Sequence, residues 1–351
     1  MLNIKDIKIT PQMLTQIAEL DEFKGAWTGF ARLRPEQLKT LRKISTIESI
    51  GSSNRIEGNK LSDAAVEKLL SHIDRKSLES RDEEEIVGYA ELINTVIDNH
   101  SVIPLSENYI KQLHKILLQY ASKDERHRGK YKKLSNNIVA YDRNGKEMGI
   151  VLETATPFDT PRLMEELIEW TRKNLDDPFL HPLIVIGVFI VHFLAIHPFQ
   201  DGNGRLSRAL TTMLLLKNGY AYVPYSSIES IIEASKDGYY RALRRTQKNI
   251  WGSKVDYEPW LSFFLTTLHK QKKALESKIN TMANSDAKLT RNQKAILELF
   301  NNAPELGSSE IASRLGMNIE TTKKNLKALV NRGYLLKHGT TKGAWYEKIS
   351  T

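Results

Sequence analysis

The sequence predicts a mostly α-helical protein of two or three domains, with one small β-hairpin set into the helical body. Three observations carry this. Apolar residues recur at three- and four-residue steps through most of the chain. Two strongly apolar segments flank a short, polar, glycine-rich loop. After a polar stretch near Thr281, the pattern restarts as a separate small module.

Helical periodicity runs from Arg34 to Ile50, Asp63 to Ile73, Asp82 to Asn99, Asn108 to Tyr120 and Pro161 to Asn174. Between the last two, Asn137 to Tyr141 and Gly149 to Leu152 are β-branched runs around Asp142 to Lys146. Asn144-Gly145 is a hairpin signal, since both residues tolerate positive φ; a plain surface loop is the alternative. Pro182 to Ile196 is apolar nearly all round and too short to span a bilayer, so it reads as a buried helix. It stops at His197-Pro198, where proline cannot continue it. Leu206 to Asn218 is a second apolar helix, closed by Gly219. Trp260 to Ile279 is helical and lysine-rich, Thr281 to Leu289 reads as a linker, and a new domain starts near Thr290.

The 351 residues allow a sizeable core. No apolar run is long enough for a membrane span, and the first residues lack a secretory pattern. The absence of cysteine excludes disulfides, thiol nucleophiles and thiolate metal sites and fits a cytoplasmic protein. The net charge of +9 suits an anionic partner such as nucleotide or nucleic acid, or is a solvated basic surface.

The loop between the two apolar helices reads HPFQDGNGR, from His197 to Arg205, and continues as Leu206, Ser207, Arg208. Gly202 and Gly204 permit a tight turn with outward N–H groups, opening straight into a helix whose N-terminal end is partially positive. Arg205 and Arg208 are three apart, hence on one face. Asp201 is a hard oxygen ligand suited to Mg2+ bridging phosphates. His197 is the group with a pKa near neutrality. Together these make a triphosphate cradle with a base, and no Walker P-loop is present. A single Gly-Asn-Gly is ordinarily only a turn; here it comes with a base, a carboxylate and two arginines. His192, on the apolar helix, reads as structural.

The segment matches the Fic family motif HxFx(D/E)GNGRxxR at every specified position. The resemblance extends over roughly residues 20 to 265. It implies a Fic fold and transfer of AMP from ATP to a Ser, Thr or Tyr hydroxyl of a protein, the chain itself included, with release of pyrophosphate. It implies His197 as the base, Asp201 holding Mg2+, and an ATP-binding set of Glu57, His197, Gly202, Asn203, Gly204, Arg205, Leu206, Ser207 and Arg208. Arg208 pairs with the γ-phosphate, and Phe199 packs the loop. The 137–152 hairpin resembles the family's flap, which aligns a target segment by strand pairing. Gly238, Tyr239 and Tyr240 resemble the adenine side; each tyrosine either walls the purine or belongs to the core. Gln247 receives no firm role.

Upstream, Ser52 to Asn59 alone is an ordinary helix terminus. Beside the motif, Ser53, Glu57 and Gly58 fit the family's inhibitory signature, (S/T)xxxE(G/N). A glutamate reaching Arg208 takes the place of the γ-phosphate, so ATP binds with its α-phosphate misplaced. The resemblance also allows this glutamate to serve removal of AMP.

The module from Thr290 to Lys348 reads as three helices and a hairpin. They are Gln293 to Phe300, a serine-capped helix from Ser308 closed by Gly316, Asn318 to Asn331, and strands near Tyr334 and Trp345. It resembles a winged helix-turn-helix domain, with Lys323, Lys324 and Lys327 near the exposed side of its third helix. Such a domain binds DNA, or serves as a protein-interaction or dimerisation wing. The expected organisation is an N-terminal helical region with the inhibitory helix (1–105), a Fic core (106–280), a linker (281–289) and a winged helix (290–351). The alternative function is a DNA-binding regulator whose core only senses nucleotide. A further alternative keeps the enzyme but moves UMP, phosphocholine or phosphate. The intact motif and Glu57 favour AMP.

Overall fold

Helix supplies most of the architecture in the computed structural model, which describes residues 7–27, 35–71, 78–141, 147–177, 179–287, 289–301, 303–331, 334–339 and 344–348. In chain order the helices are α1 (Pro11–Trp27), α2 (Pro35–Ile56), α3 (Asp63–Ser71), α4 (Arg81–Asn99) and α5 (Glu107–Leu117). Then come α6 (Thr160–Asp176), α7 (Pro182–Ile196), α8 (Asn203–Lys217), α9 (Ile228–Ala234), α10 (Lys236–Gln247) and α11 (Glu258–Ala287). The last are α12 (Arg291–Leu299), α13 (Ser308–Leu315) and α14 (Ile319–Asn331). The chain divides into two units, residues 1–32 with 41–275, and residues 33–40 with 276–351.

The first unit is built on α7 and α8. Every residue of α7 from Leu183 to Ile196 is buried, as its unbroken apolar sequence requires. Proline at its first position costs no hydrogen bond, and His181 Nδ1 accepts the Leu183 N–H. It ends where His197 turns left-handed and its N–H closes on Phe193 O. α8 packs on α7, α6 covers α7, and α4 covers α8. Ser80 and Ser106 cap α4 and α5 by accepting N–H groups of the first turn.

The hairpin is present as β1 (Ile138–Tyr141) and β2 (Glu147–Leu152), antiparallel, with Ile138 opposite Leu152 and Tyr141 opposite Glu147. The Asn144-Gly145 turn lies outside the described residues. Several boundaries differ from expectation. α2 continues past Ile50 to Ile56, which carries the Ser53 segment into the helix. α8 begins at Asn203, so Gly204 and Arg205 belong to its first turn. The expected linker, Thr281 to Leu289, is helical through Ala287, because its residues tolerate helix as well as coil.

The second unit holds α12, α13, α14 and a three-stranded antiparallel sheet of β3 (Glu305–Gly307), β4 (Leu335–His338) and β5 (Trp345–Lys348) in the order β3-β5-β4. This is the winged-helix architecture. Ile296, Leu306, Ile311, Leu326, Leu329 and Leu335 form its core. Thr290 and Gln293 form a reciprocal capping box on α12. The expected serine cap of α13 is absent: Gly307, at the end of β3, occupies that position without a side-chain bond. Strand β3 was not expected; three residues carry too little alternation to show. Among the described residues, no helix is long and apolar enough to cross a membrane.

Candidate active site

A cavity of about 410 Å³ opens between the α7–α8 loop, the end of α2 and helix α10. Its lining includes Glu57, His197, Asp201, Gly202, Asn203, Gly204, Arg205, Tyr239 and Tyr240, all expected from the sequence. A drug- or nucleotide-sized ligand needs roughly this volume.

His197 has φ 51, the one positive φ outside glycine among the described residues. Its Nδ1 lies 3.2 Å from Leu194 O, so that nitrogen carries the proton and Nε2 keeps its lone pair. Burial pushes its pKa down to about 4, against the help of the Leu194 carbonyl, and the nearby Lys132 charge lowers it further. The ring is therefore a neutral acceptor at pH 7.

Gly202, at φ 79, caps α8 without any side-chain bond. The first backbone bond back into the loop is Leu206 N–H to Gly202 O, at 2.9 Å. The N–H groups of the preceding turn are thus the orphan donors of a fifteen-residue helix, a natural anion site. An anion already stands there. A Cβ added to Gly204 would lie 2.1 Å from Glu57 Oε1, so the motif glycine is what lets the carboxylate approach the helix end.

Glu57 Oε1 also accepts from Arg208 Nη2 at 2.8 Å. Arg208 Nε donates to Ser53 Oγ and Nη2 to Ser53 O, both at 2.8 Å. Burial opposes the Arg208 charge, but Glu57 and nearby tyrosines outweigh it and raise its pKa. Among the described residues its buried Nη1 has no hydrogen-bond partner. Gly58, at φ 102, ends α2 and lets Asn59 N–H return to Asn54 O. A second clamp holds this helix end and was not expected. Arg55 donates to both carboxylate oxygens of Glu233, at 2.7 and 3.0 Å, and to Asp63 at 2.9 Å.

Other expected roles change. Asn203 spends its side chain inside the loop, taking Phe199 N–H at 2.9 Å and donating to Phe199 O at 2.7 Å. It holds the turn from within. Leu206 is a fully buried core residue, and Ser207 Oγ donates to Gly204 O; neither lines the cavity. Arg205 and Arg208 bind different partners, since Arg205 Nη2 donates to Asp201 Oδ2 at 3.1 Å. Among the described residues, Arg205 Nε and Nη1 are buried without a hydrogen-bond acceptor, and its Nη1 lies 3.6 Å from Glu85. Tyr239 packs edge-on against Trp260 as a core residue while still lining the cavity. Tyr240 lines it too, its hydroxyl 3.5 Å from Ile56 O. Gln247 lines it and donates to Val191 O. His192, expected to be structural, is buried in α7 with Nε2 2.8 Å from Tyr257 Oη.

The sequence did not single out the residues behind the loop. His114 Nδ1 accepts Gly129 N–H, so its Nε2 carries the proton and donates to Asp201 O at 3.0 Å. The ring stacks on Phe199 at 3.8 Å, and burial lowers its pKa to about 4. Lys132, Asn136 and Thr154 support the loop from the side of the β1–β2 hairpin. Their signal was invisible because the bonds join residues far apart in sequence.

Could the site take Mg2+? Among the described residues, no group of three His, Asp or Glu gathers into a metal cage. Asp201 Oδ2 is engaged by Arg81 and Arg205, while the side chain is 39% exposed. One partly exposed carboxylate on a cavity wall suits a Mg2+ that otherwise keeps water and phosphate oxygens.

Against known proteins, residues 104–215 match the Fic/DOC family. Residues 289–335 match the winged helix-turn-helix DNA-binding family. A probable protein adenylyltransferase of Aquifex aeolicus is 32% identical over 101 residues, 29% of this chain and 31% of that protein. A protein adenylyltransferase Fic of Culex quinquefasciatus is 29% identical over 191 residues, 52% of this chain and 34% of that protein. The aligned part is about a third of the length of these two relatives. The crystal structure of a Fic family protein from Desulfovibrio desulfuricans superposes with a TM-score of 0.61 at 22% identity, covering 99% of this chain and 98% of that one. The protein thus combines a helical Fic-type fold with a winged-helix C-terminal domain. More particularly, the chain carries a Fic/DOC domain and ends in a winged helix-turn-helix domain.

Proposed function

We propose that the chain is a protein adenylyltransferase, transferring AMP from ATP to a protein hydroxyl and held in check by Glu57. The observation that carries this is the pairing, in one cavity, of an acceptor nitrogen on His197 with a helix N-terminus already occupied by a carboxylate. The names of the curated relatives support the same reaction.

In this mechanism the triphosphate lies over the first turn of α8, where the backbone N–H groups of Asn203, Gly204 and Arg205 and the Arg205 guanidinium face its charge. The target hydroxyl oxygen attacks the α-phosphorus. His197 Nε2 takes its proton, the bond to the bridging oxygen of the β-phosphate breaks, and pyrophosphate leaves. Mg2+ held by Asp201 would neutralise phosphate charge when bound. Glu57 opposes the reaction by standing over Gly204 and holding Arg208, which displaces the γ-phosphate and misaligns the α-phosphate. A misplacement of about 1 Å costs around 10²-fold. The C-terminal domain fits a DNA partner, because Lys323, Lys324 and Lys327 are exposed on α14.

The test uses ATP labelled at either the α- or the γ-phosphate with purified Glu57→Gly chain. Label retained on protein from the α-position alone is the expected result. Retention from the γ-position alone identifies phosphate transfer and overturns the proposal.

A further inference from the structure

The flap and the motif loop meet at a buried cation. Lys132 precedes β1, Thr154 follows β2, and both lie behind His197. Lys132 is only 3% exposed. Its Nζ donates to Asn136 Oδ1 at 2.7 Å, Thr154 Oγ1 at 2.9 Å and Ile196 O at 3.0 Å. Among the described residues no carboxylate pairs with it. Burying an uncompensated ammonium is costly, and a methionine would fill the same space without that cost.

The return lies in which oxygens are served. Five consecutive carbonyls, from Ala195 to Phe199, accept from residues flanking the flap. Ala155 N–H reaches Ala195 O, Lys132 Nζ reaches Ile196 O, and Lys132 N–H reaches Pro198 O at 2.8 Å. Asn136 Nδ2 reaches His197 O at 3.2 Å and Phe199 O at 2.7 Å. Thr154 Oγ1 donates to Asn136 Oδ1, and Thr154 N–H to Asn137 Oδ1. Two of them, Ala195 O and Ile196 O, are orphan acceptors at the end of α7, the negative end of its dipole, where a cation is favoured, and the other three belong to the loop that follows. In their midst His197 holds a left-handed backbone that a non-glycine residue adopts only when its surroundings impose it.

We propose that Lys132 is a positioning residue for the transfer reaction, fixing the backbone of His197 and tying the geometry of the base to both ends of the flap. This rests on the adenylyltransferase reading. Burial lowers the Lys132 pKa to about 8, so its proton is within reach of mildly alkaline conditions. The titratable neighbours are His197 on the loop, with Lys130, Lys133 and Glu153 exposed on the adjoining chain.

The experiment uses the full chain with Glu57→Gly, adding Lys132→Met or Lys132→Arg, with thermal melts to check folding. Self-labelling from α-labelled ATP is followed from about pH 6.5 to 9.5, a range spanning the perturbed lysine pKa. Methionine should lower kcat about 100-fold, with the apparent KM for ATP changed less than about threefold. Arginine should keep the rate within about tenfold and move the alkaline limb upward from near pH 8, since its charge persists. Equal loss in both variants, an unchanged rate with methionine, or an alkaline limb unmoved by arginine each overturns the proposal. Should methionine fail to fold, the limb measured with arginine decides alone. A second readout does not depend on transfer. The imidazole proton resonance of His197, assigned by its loss in His197→Ala, should titrate at higher pH once the Lys132 charge is removed. An unmoved His197 titration overturns the inference even if the chain transfers no AMP. A moved titration without any transfer sinks the adenylyltransferase reading and leaves the lysine–histidine coupling standing.

Discussion

Replacing Glu57 by glycine is expected to raise the rate of AMP transfer at least about 100-fold. The magnitude follows from what the carboxylate does. Oε1 sits 2.8 Å from Arg208 Nη2 and so close to Gly204 that a single added carbon would overlap it. A phosphate entering this space must displace it or shift aside. A shift of about 1 Å at the α-phosphate corresponds to roughly 10² in rate, or about 2.7 kcal/mol of barrier. Binding should change much less, because the N–H donors of α8 and the aromatic side of the cavity are untouched. The fold should survive. Glu57 lies just past the last residue of α2, so glycine there breaks no helix, and Arg208 keeps its two bonds to Ser53. The assay is the initial rate of self-labelling at saturating ATP, with ATP affinity measured by calorimetry. A rate within about twofold of wild type, at comparable affinity, would refute the inhibitory role and with it the reasoning from misplacement.

Other outcomes follow from the same geometry. His197→Ala in the Glu57→Gly chain should lower transfer by about 10²–10⁴-fold while leaving ATP affinity within a few-fold, measured in the same two assays. Stability should fall as pH drops from 6.5 toward 4. His114 and His192 are held neutral by burial, with folded pKa values of about 4 and about 3, below the unfolded value of 6.5. The unfolded chain therefore binds more protons in that window, and each histidine removes about 2 kcal/mol by pH 5. Urea unfolding at pH 7.5 and 5 measures this, and the His192→Gln variant should lose its share of the pH dependence. Replacing Lys323 and Lys324 by alanine should weaken DNA binding across sequences and reduce the salt slope by about 2, read by anisotropy at several salt concentrations.

Much of this was legible in the sequence, and the physical reasons are specific. Pro182 to Ile196 announced its own ends, because proline starts a helix without cost and the His197-Pro198 pair cannot extend one. The motif loop showed a cradle because glycine placement and charge are local properties. The contact between Glu57 and Arg208 was readable only through family resemblance, since nothing local relates residues 151 apart. His114, Lys132 and Asn136 escaped notice for the same reason. A lysine in a polar stretch looks solvated until the fold closes over it. The end of α11 extends into the expected linker because residues such as Ser285 and Asp286 suit coil, yet bring no proline or glycine to stop a helix. The motif implies a phosphate contact for Asn203, and the fold adds a second task the sequence does not show, a side chain that staples the turn.

The most direct measurement is a crystal structure of the Glu57→Gly chain with a non-hydrolysable ATP analogue and Mg2+. Phosphate oxygens should lie on the backbone N–H groups at the start of α8, the γ-phosphate beside Arg208, and His197 Nε2 should face the side from which a hydroxyl would reach the α-phosphorus. A nucleotide bound elsewhere, or His197 Nε2 turned away from the α-phosphate and bonded within the protein, would contradict it.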